Sequence, residues 1–135
     1  MVRVFVLMPN KLTDVQLMDV REYLNEDDEI IYAPDEIVKR WISIPPDICS
    51  WDLLDYINPI FEWFERVSPK SYDLLIIDGD SVAMNYTVNW MYKKKKTTCI
   101  TPVLRCVTIA ERQPDGYIIK KEIPKHVRFR KFFPV

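Results

Sequence analysis

Residues 72–81 read Tyr72-Asp73-Leu74-Leu75-Ile76-Ile77-Asp78-Gly79-Asp80-Ser81. The stretch Leu74 to Ile77 is apolar at every position, with no polar alternation, so both faces of this strand need cover. Strands of that kind belong to parallel sheets with helices on both sides. Gly79 closes the strand, and Ser81 is expected to cap a helix running to about Tyr92. A strand, a tight loop and a helix in that order are half of a βαβ unit.

The same grammar recurs upstream. Val2-Arg3-Val4-Phe5-Val6-Leu7-Met8, closed by Pro9-Asn10, reads as another doubly buried strand. Thr13 followed by Gln16 forms the pattern of a capping box, and Val15, Leu17, Met18, Val20 and Leu24 give the following helix its apolar side. Glu29 to Tyr32 reads as a second strand. Asp35 then opens a short helix through Ile37, Val38 and Trp41, which Ile44-Pro45-Pro46 ends. From Ser50 to Val67, Leu53, Leu54, Ile57, Ile60, Phe61 and Phe64 recur at helical spacing, and Pro59 is expected to kink or divide that helix.

Downstream the character changes. Thr98 to Val103 reads as a strand, Val107 to Arg112 and Gly116 to Glu122 as a hairpin around Gln113-Pro114-Asp115-Gly116, and Val127 to Phe133 as a separate terminal strand. The expected architecture is α/β: a Rossmann-like, mostly parallel sheet flanked by helices, with a C-terminal β-hairpin and terminal strand. The 135 residues, 48% of them apolar with only two glycines, fit one domain over 1–135. No apolar run approaches the ~20 residues of a membrane span, and the chain is expected to be cytoplasmic with no membrane partner. Cys49, Cys99 and Cys106 lack metal or disulfide spacing and are expected to be buried or half-buried free thiols.

The net charge of −1 conceals an asymmetry: residues 1–68 carry 6 basic against 14 acidic side chains, and residues 69–135 carry 13 against 6. Either the basic half holds a localised anion, with a small phosphate-bearing ligand fitting better than long nucleic acid, or the two halves neutralise one another in the fold. Lys93 to Lys96 suit the negative end of a helix and carry no functional reading. In open α/β sheets ligands bind beyond the carboxyl ends of the strands, which singles out Pro9-Asn10-Lys11, with Thr13 behind it, and Gly79-Asp80-Ser81. Both loops precede helix N-termini, where backbone N–H groups favour phosphate. No G-x-G-x-x-G or P-loop is present, and no cofactor is expected.

Phe5-Val6-Leu7-Met8-Pro9-Asn10-Lys11-Leu12-Thr13-Asp14-Val15-Gln16, Ile44-Pro45-Pro46-Asp47, Asp78-Gly79-Asp80 and Lys125-His126-Val127-Arg128-Phe129-Arg130-Lys131-Phe132 occur in that order. Together they resemble the Csx-twenty family of CRISPR-associated proteins. The resemblance spans essentially the whole chain and implies a CARF-like fold, a homodimer, and a ring nuclease that opens cyclic oligoadenylate, cyclic tetra-adenylate above all, to end type III CRISPR signalling. The chain departs from the family pattern at Asn10, where a His is common, at Ser81-Val82, where an aromatic and a Gly are usual, and at Cys106 to Ile109. A sponge or sensor that binds without cleaving is therefore the alternative.

Ring opening by the ribose 2′-OH needs in-line positioning, charge stabilisation and proton transfer, but no metal. On that reading Lys11 is the leading phosphate contact and Asn10 bonds ribose or base. Asp80 orients or deprotonates the 2′-OH, and His126, the only histidine, is a general acid. Pro9, Thr13, Gly79, Ser81, Arg105 and Arg128 complete the expected ligand contacts, Arg128 sharing a strand face with Arg130. The aromatics Trp51, Trp63 and Tyr92 read as core or interface, with Tyr86 and Trp90 the favoured dimer stripe.

Overall fold

The computed structural model describes residues 2–68 and 73–132. In chain order the elements are β1 (Arg3–Leu7), α1 (Asp14–Arg21), β2 (Glu29–Tyr32), α2 (Asp35–Ile42), α3 (Ser50–Val67), β3 (Leu74–Ile77), α4 (Ser81–Lys95), β4 (Thr98–Arg112) and β5 (Ile118–Lys131). They build one five-stranded sheet in the order β2-β1-β3-β4-β5. β1 pairs in parallel with both β2 and β3, and β3 with β4, while β5 runs antiparallel to β4. The chain steps outward from β1 to β2 and then crosses to β3 on the other side of β1. The crevice between β1 and β3 is thus where the winding reverses.

The apolar strands divide their side chains as a doubly covered sheet requires. Phe5, Leu7, Leu75, Ile77 and Cys99 pack on one face with Trp41, Ile57, Ile60 and Phe64 of α2 and α3. Val4, Val6 and Ile76 face the other way, under Leu12 and Val20 at α1. Phe5 meets Phe64 and Trp63 edge-on at centroid distances of 5.0 and 6.0 Å. Trp90 stacks on Phe61 at 4.8 Å, and Tyr86 packs partly buried against the same cluster. Trp90 and Tyr86, the expected interface stripe, are thus both half-buried at the margin of this core.

Local rules account for most element ends. Thr13 and Gln16 do form the capping box, Gln16 N donating to Thr13 Oγ1 at 3.2 Å and Thr13 N to Gln16 Oε1 at 3.0 Å. At α4 the cap is Asp80, whose Oδ1 accepts from Val82 N and Ala83 N, and Ser81 is the first helical residue. The expected Ser81 cap is displaced because the carboxylate one residue earlier reaches both orphan amides. α3 runs unbroken through Pro59. Burial of Leu53, Ile57, Ile60, Phe61 and Phe64 outweighs the ~3 kcal/mol an interior proline costs.

β5 is one strand, so the hairpin and the terminal strand are continuous, and it pairs with β4 from Ile100↔Lys131 to Arg112↔Ile118 with a bulge at Val103/Leu104. Pro102 and Pro124 do not interrupt it. β3 pairs with β4 only as far as Ile100 and β5 lies at the sheet edge, so each proline can turn its amide-free nitrogen to an unpaired side. Beyond Ile100 the ribbon projects past the carboxyl edge of the sheet. Phe133, inside the expected strand, lies outside the described residues.

Candidate functional site

A cavity of about 550 Å³ opens at the carboxyl ends of β1 and β3, lined among others by Pro9, Asn10, Lys11, Thr13, Asp78 and His126. β1 delivers the first three, the start of α1 supplies Thr13, β3 delivers Asp78, and the root of the β4–β5 ribbon supplies His126. Asp78 extends the β-ladder, its N–H donating to Leu7 O at 3.1 Å, so its carboxyl stands beside the loop after β1. Partial burial pushes the Asp78 carboxyl pKa up, opposed in part by a hydrogen bond from the Gly79 amide. Lys11 lies over the Tyr32 ring, its Nζ 5.5 Å from the centroid, and is otherwise solvent-facing. That contact sets the ammonium over the ring, with no carboxylate contact within ion-pair distance among the described residues.

Thr13 spends its hydroxyl on the capping box, so its contribution to a ligand is the helix end it organises. Asp14 in the first turn competes for the same positive end. His126 is held differently from a free acid. Its Nε2 lies 2.8 Å from Asp19 Oδ2 on α1, its side chain is 4% exposed, and Nδ1 is buried without a hydrogen-bond partner among the described residues. The ring also packs on Phe129 at 4.7 Å. His126 pins the ribbon root to α1 and forms a wall of the cavity.

The remaining expected residues lie elsewhere. Asp80 is exposed but its carboxylate is occupied by the α4 cap, and Ser81 is the first residue of that helix. Neither lines the cavity. Gly79 is required by packing: a Cβ there would stand 2.5 Å from Trp41 Nε1, the same atom that donates to Asp78 O at 2.7 Å. Arg105 is exposed on the ribbon and, by strand alternation, faces away from Leu104 and the cavity. Arg128 lines a second groove, of about 830 Å³, toward the opposite end of the sheet with Asn25, Asp28 and Phe129. Asp78 and Asp19 are the residues sequence reading passed over. Asp78 had a signal, a carboxylate ending a wholly apolar strand at the edge where ligands bind; Asp19 had none, since its partner is 107 residues away.

Of the thiols only Cys99 is buried, which pushes its pKa up to about 12, whereas Cys49 and Cys106 are exposed, contrary to expectation, because their elements present them outside the core. Among the described residues no three His, Cys, Asp or Glu side chains gather closely enough to hold a metal ion. Nor, among them, is any helix long and apolar enough to cross a membrane.

A family model described as "Uncharacterized protein MJ1673 family" matches residues 2–130, which take in every residue of the cavity wall. The chain belongs to the MJ1673 family. It is 37% identical over 134 residues, 99% of both chains, to "Uncharacterized protein MJ1673" of Methanocaldococcus jannaschii. No solved structure matches it. At that coverage the family resemblance is end to end, so the ribbon as well as the sheet lies within the matched length.

Proposed function

We propose that this MJ1673-family chain is a Rossmann-like, CARF-like module that binds cyclic tetra-adenylate and opens it as a metal-independent ring nuclease, ending a type III CRISPR signal. The resemblance to the Csx-twenty family supplies the ligand. The observation that carries the chemistry is the convergence of Asn10, Lys11 and Asp78 on one cavity at the carboxyl edge of the sheet. In this reading a ribose 2′-oxygen attacks its neighbouring phosphorus and the P–O5′ bond breaks, giving a 2′,3′-cyclic phosphate and a free 5′-hydroxyl. Asp78 takes the 2′-OH proton, a task for which its upward-shifted pKa suits it better than an ordinary carboxylate. Lys11 neutralises the phosphoryl oxygens, Asn10 orients the ribose, and water supplies the proton to the leaving 5′-oxygen.

One such cavity holds only part of a four-nucleotide ring, so two copies related by a two-fold axis would share it, each offering one site to a rotationally symmetric ligand. The alternative, binding without cleavage, draws on a specific observation: Asp80 and His126, two residues expected to act on protons, are committed to a helix cap and to Asp19. Incubation with cyclic tetra-adenylate in EDTA, followed by chromatography, separates the readings. Multiple turnovers to a linear product ending in a cyclic phosphate, lost in Asp78→Asn, support the nuclease. Intact ring retained at protein stoichiometry supports the sponge, and ring neither bound nor cleaved removes both.

A further inference from the structure

From Thr101 to Arg112, β4 has no sheet neighbour except β5, so ~40 Å of two-stranded ribbon extends from the body. At its tip Gly116 turns with φ +91°, and nothing lies within 4 Å of where a side chain there would begin, so the turn stands clear in solvent. Residues 101–131 carry eight basic side chains against three acidic ones, +5 on a chain of net charge −1, which leaves the rest of the chain at −6. Arg105, Arg112, Lys120, Lys125 and Arg130 are exposed, and none has a carboxylate within ion-pair distance among the described residues. Lys121 pairs with Glu111 at 2.8 Å, half exposed on both sides.

The register makes the charge costly. Arg105 stands directly across from Lys125, and Thr101, the partner of Arg130, shares the Arg105 face by strand alternation. Like charges directly opposed across a ladder destabilise it, and a two-stranded ribbon is marginal in water to begin with. An anion between the two heads relieves the repulsion. On the same face Val107, Ile109 and Ile123 are interleaved with charged residues, so there is no continuous apolar core of the kind a protein interface needs. Along its paired length that face also lacks an aromatic ring on which unstacked bases could rest, which favours a duplex over a single strand.

We infer that the ribbon is an arm for double-stranded DNA, lying in the major groove with Arg105 and Lys125 reaching the phosphates that border it. The B-form major groove, ~12 Å wide, admits a two-stranded β-ribbon, whereas the deep, narrow major groove of an RNA duplex does not. Same-face positions recur every ~6.8 Å along β5, so the cations are set out in a row rather than gathered at one point, as neutralising a phosphate backbone requires. The acidic body repels the same phosphates and confines the contact to the ribbon. The charge asymmetry that favours a small anion on sequence grounds is in the fold a projecting arm. Lys125 also borders the candidate cavity, so the test is placed on Arg105, which does not, and it needs no cavity ligand.

The experiment is fluorescence anisotropy of a labelled DNA duplex of ~20 bp, two helical turns, titrated over a salt series with the full chain and with Arg105→Glu, Arg105→Gln and Lys94→Glu. Arg105→Glu turns the opposed like charges into a cross-strand ion pair, so by circular dichroism it is expected to melt no lower than the native chain. Arg105→Gln removes the charge alone, and Lys94→Glu repeats the full charge change at the exposed end of α4. The native chain is expected to bind with a dissociation constant of ~10⁻⁴–10⁻⁶ M at physiological salt, log affinity falling linearly with log salt. Arg105→Gln should flatten that slope by about one and Arg105→Glu weaken binding ~10-fold or more at low salt, with Lys94→Glu near native. No binding of the duplex at any salt overturns the arm, whether or not anionic vesicles retain the chain. So does a Lys94→Glu loss equal to that of Arg105→Glu, or an RNA duplex of the same length held as tightly as DNA.

Discussion

Asp78, the base of the proposed reaction, also costs stability. Its carboxyl titrates above the usual value near 4 because burial disfavours the charge. The folded state therefore holds this proton more tightly than the unfolded chain, so its contribution to stability is complete below the unfolded pKa and is lost as pH rises through the folded one. Asp78→Asn is expected to raise the melting temperature at neutral pH relative to the native chain, with the difference vanishing in acid, while ring opening falls. An unchanged melting temperature across that range would place Asp78 in ordinary solvent contact. Its neighbour Gly79 acts through space alone. With a Cβ at 2.5 Å from the buried Trp41 indole, Gly79→Ala should destabilise by about 1–3 kcal/mol in denaturant titration and disturb the indole bond to Asp78 O. The glycine was legible in the sequence, but its partner was not, because Trp41 is 38 positions away and meets it only in the fold.

At the level of elements, the loop after β3 starts a helix, with Asp80 rather than Ser81 as its cap. Asp80 satisfies two orphan amides of α4, so Asp80→Ala is expected to cost about 0.5–2 kcal/mol, and Asp80→Ser, another good cap, to recover most of it. Ring opening measured per folded molecule should survive the serine variant; its loss would return Asp80 to the reacting groups. The capping box at Thr13 was legible because a cap and its reciprocal partner lie three residues apart. The choice between Asp80 and Ser81 was not, since both residues cap well and only the turn geometry after β3 selects one.

Across the whole molecule the two ends of the sheet have separate tasks. At the amino ends of the strands, Arg3 pairs with Asp73 at 3.2 Å and donates to Val67 O at 2.7 Å, while Ser68 Oγ donates to Asp73, which is 3% exposed. Asp73→Ala removes the buried acceptor of Arg3, whose guanidinium is 18% exposed and keeps its bond to Val67 O, and should cost about 1–3 kcal/mol in urea unfolding while leaving ligand affinity of the folded protein unchanged. A parallel loss of affinity would show that the two ends are coupled. The sequence by itself determined the α/β class, the buried strands β1 and β3 and the capped helix α1, because these follow from runs and spacings within a few residues. Only the tertiary structure decided that Asp78 joins Asn10 and Lys11, that Asp19 holds His126, that Trp90 stacks on Phe61, and that β4 and β5 form one ribbon past the sheet. Each of those rests on contacts between residues far apart in the chain, whose geometry is set by how the helices and strands pack.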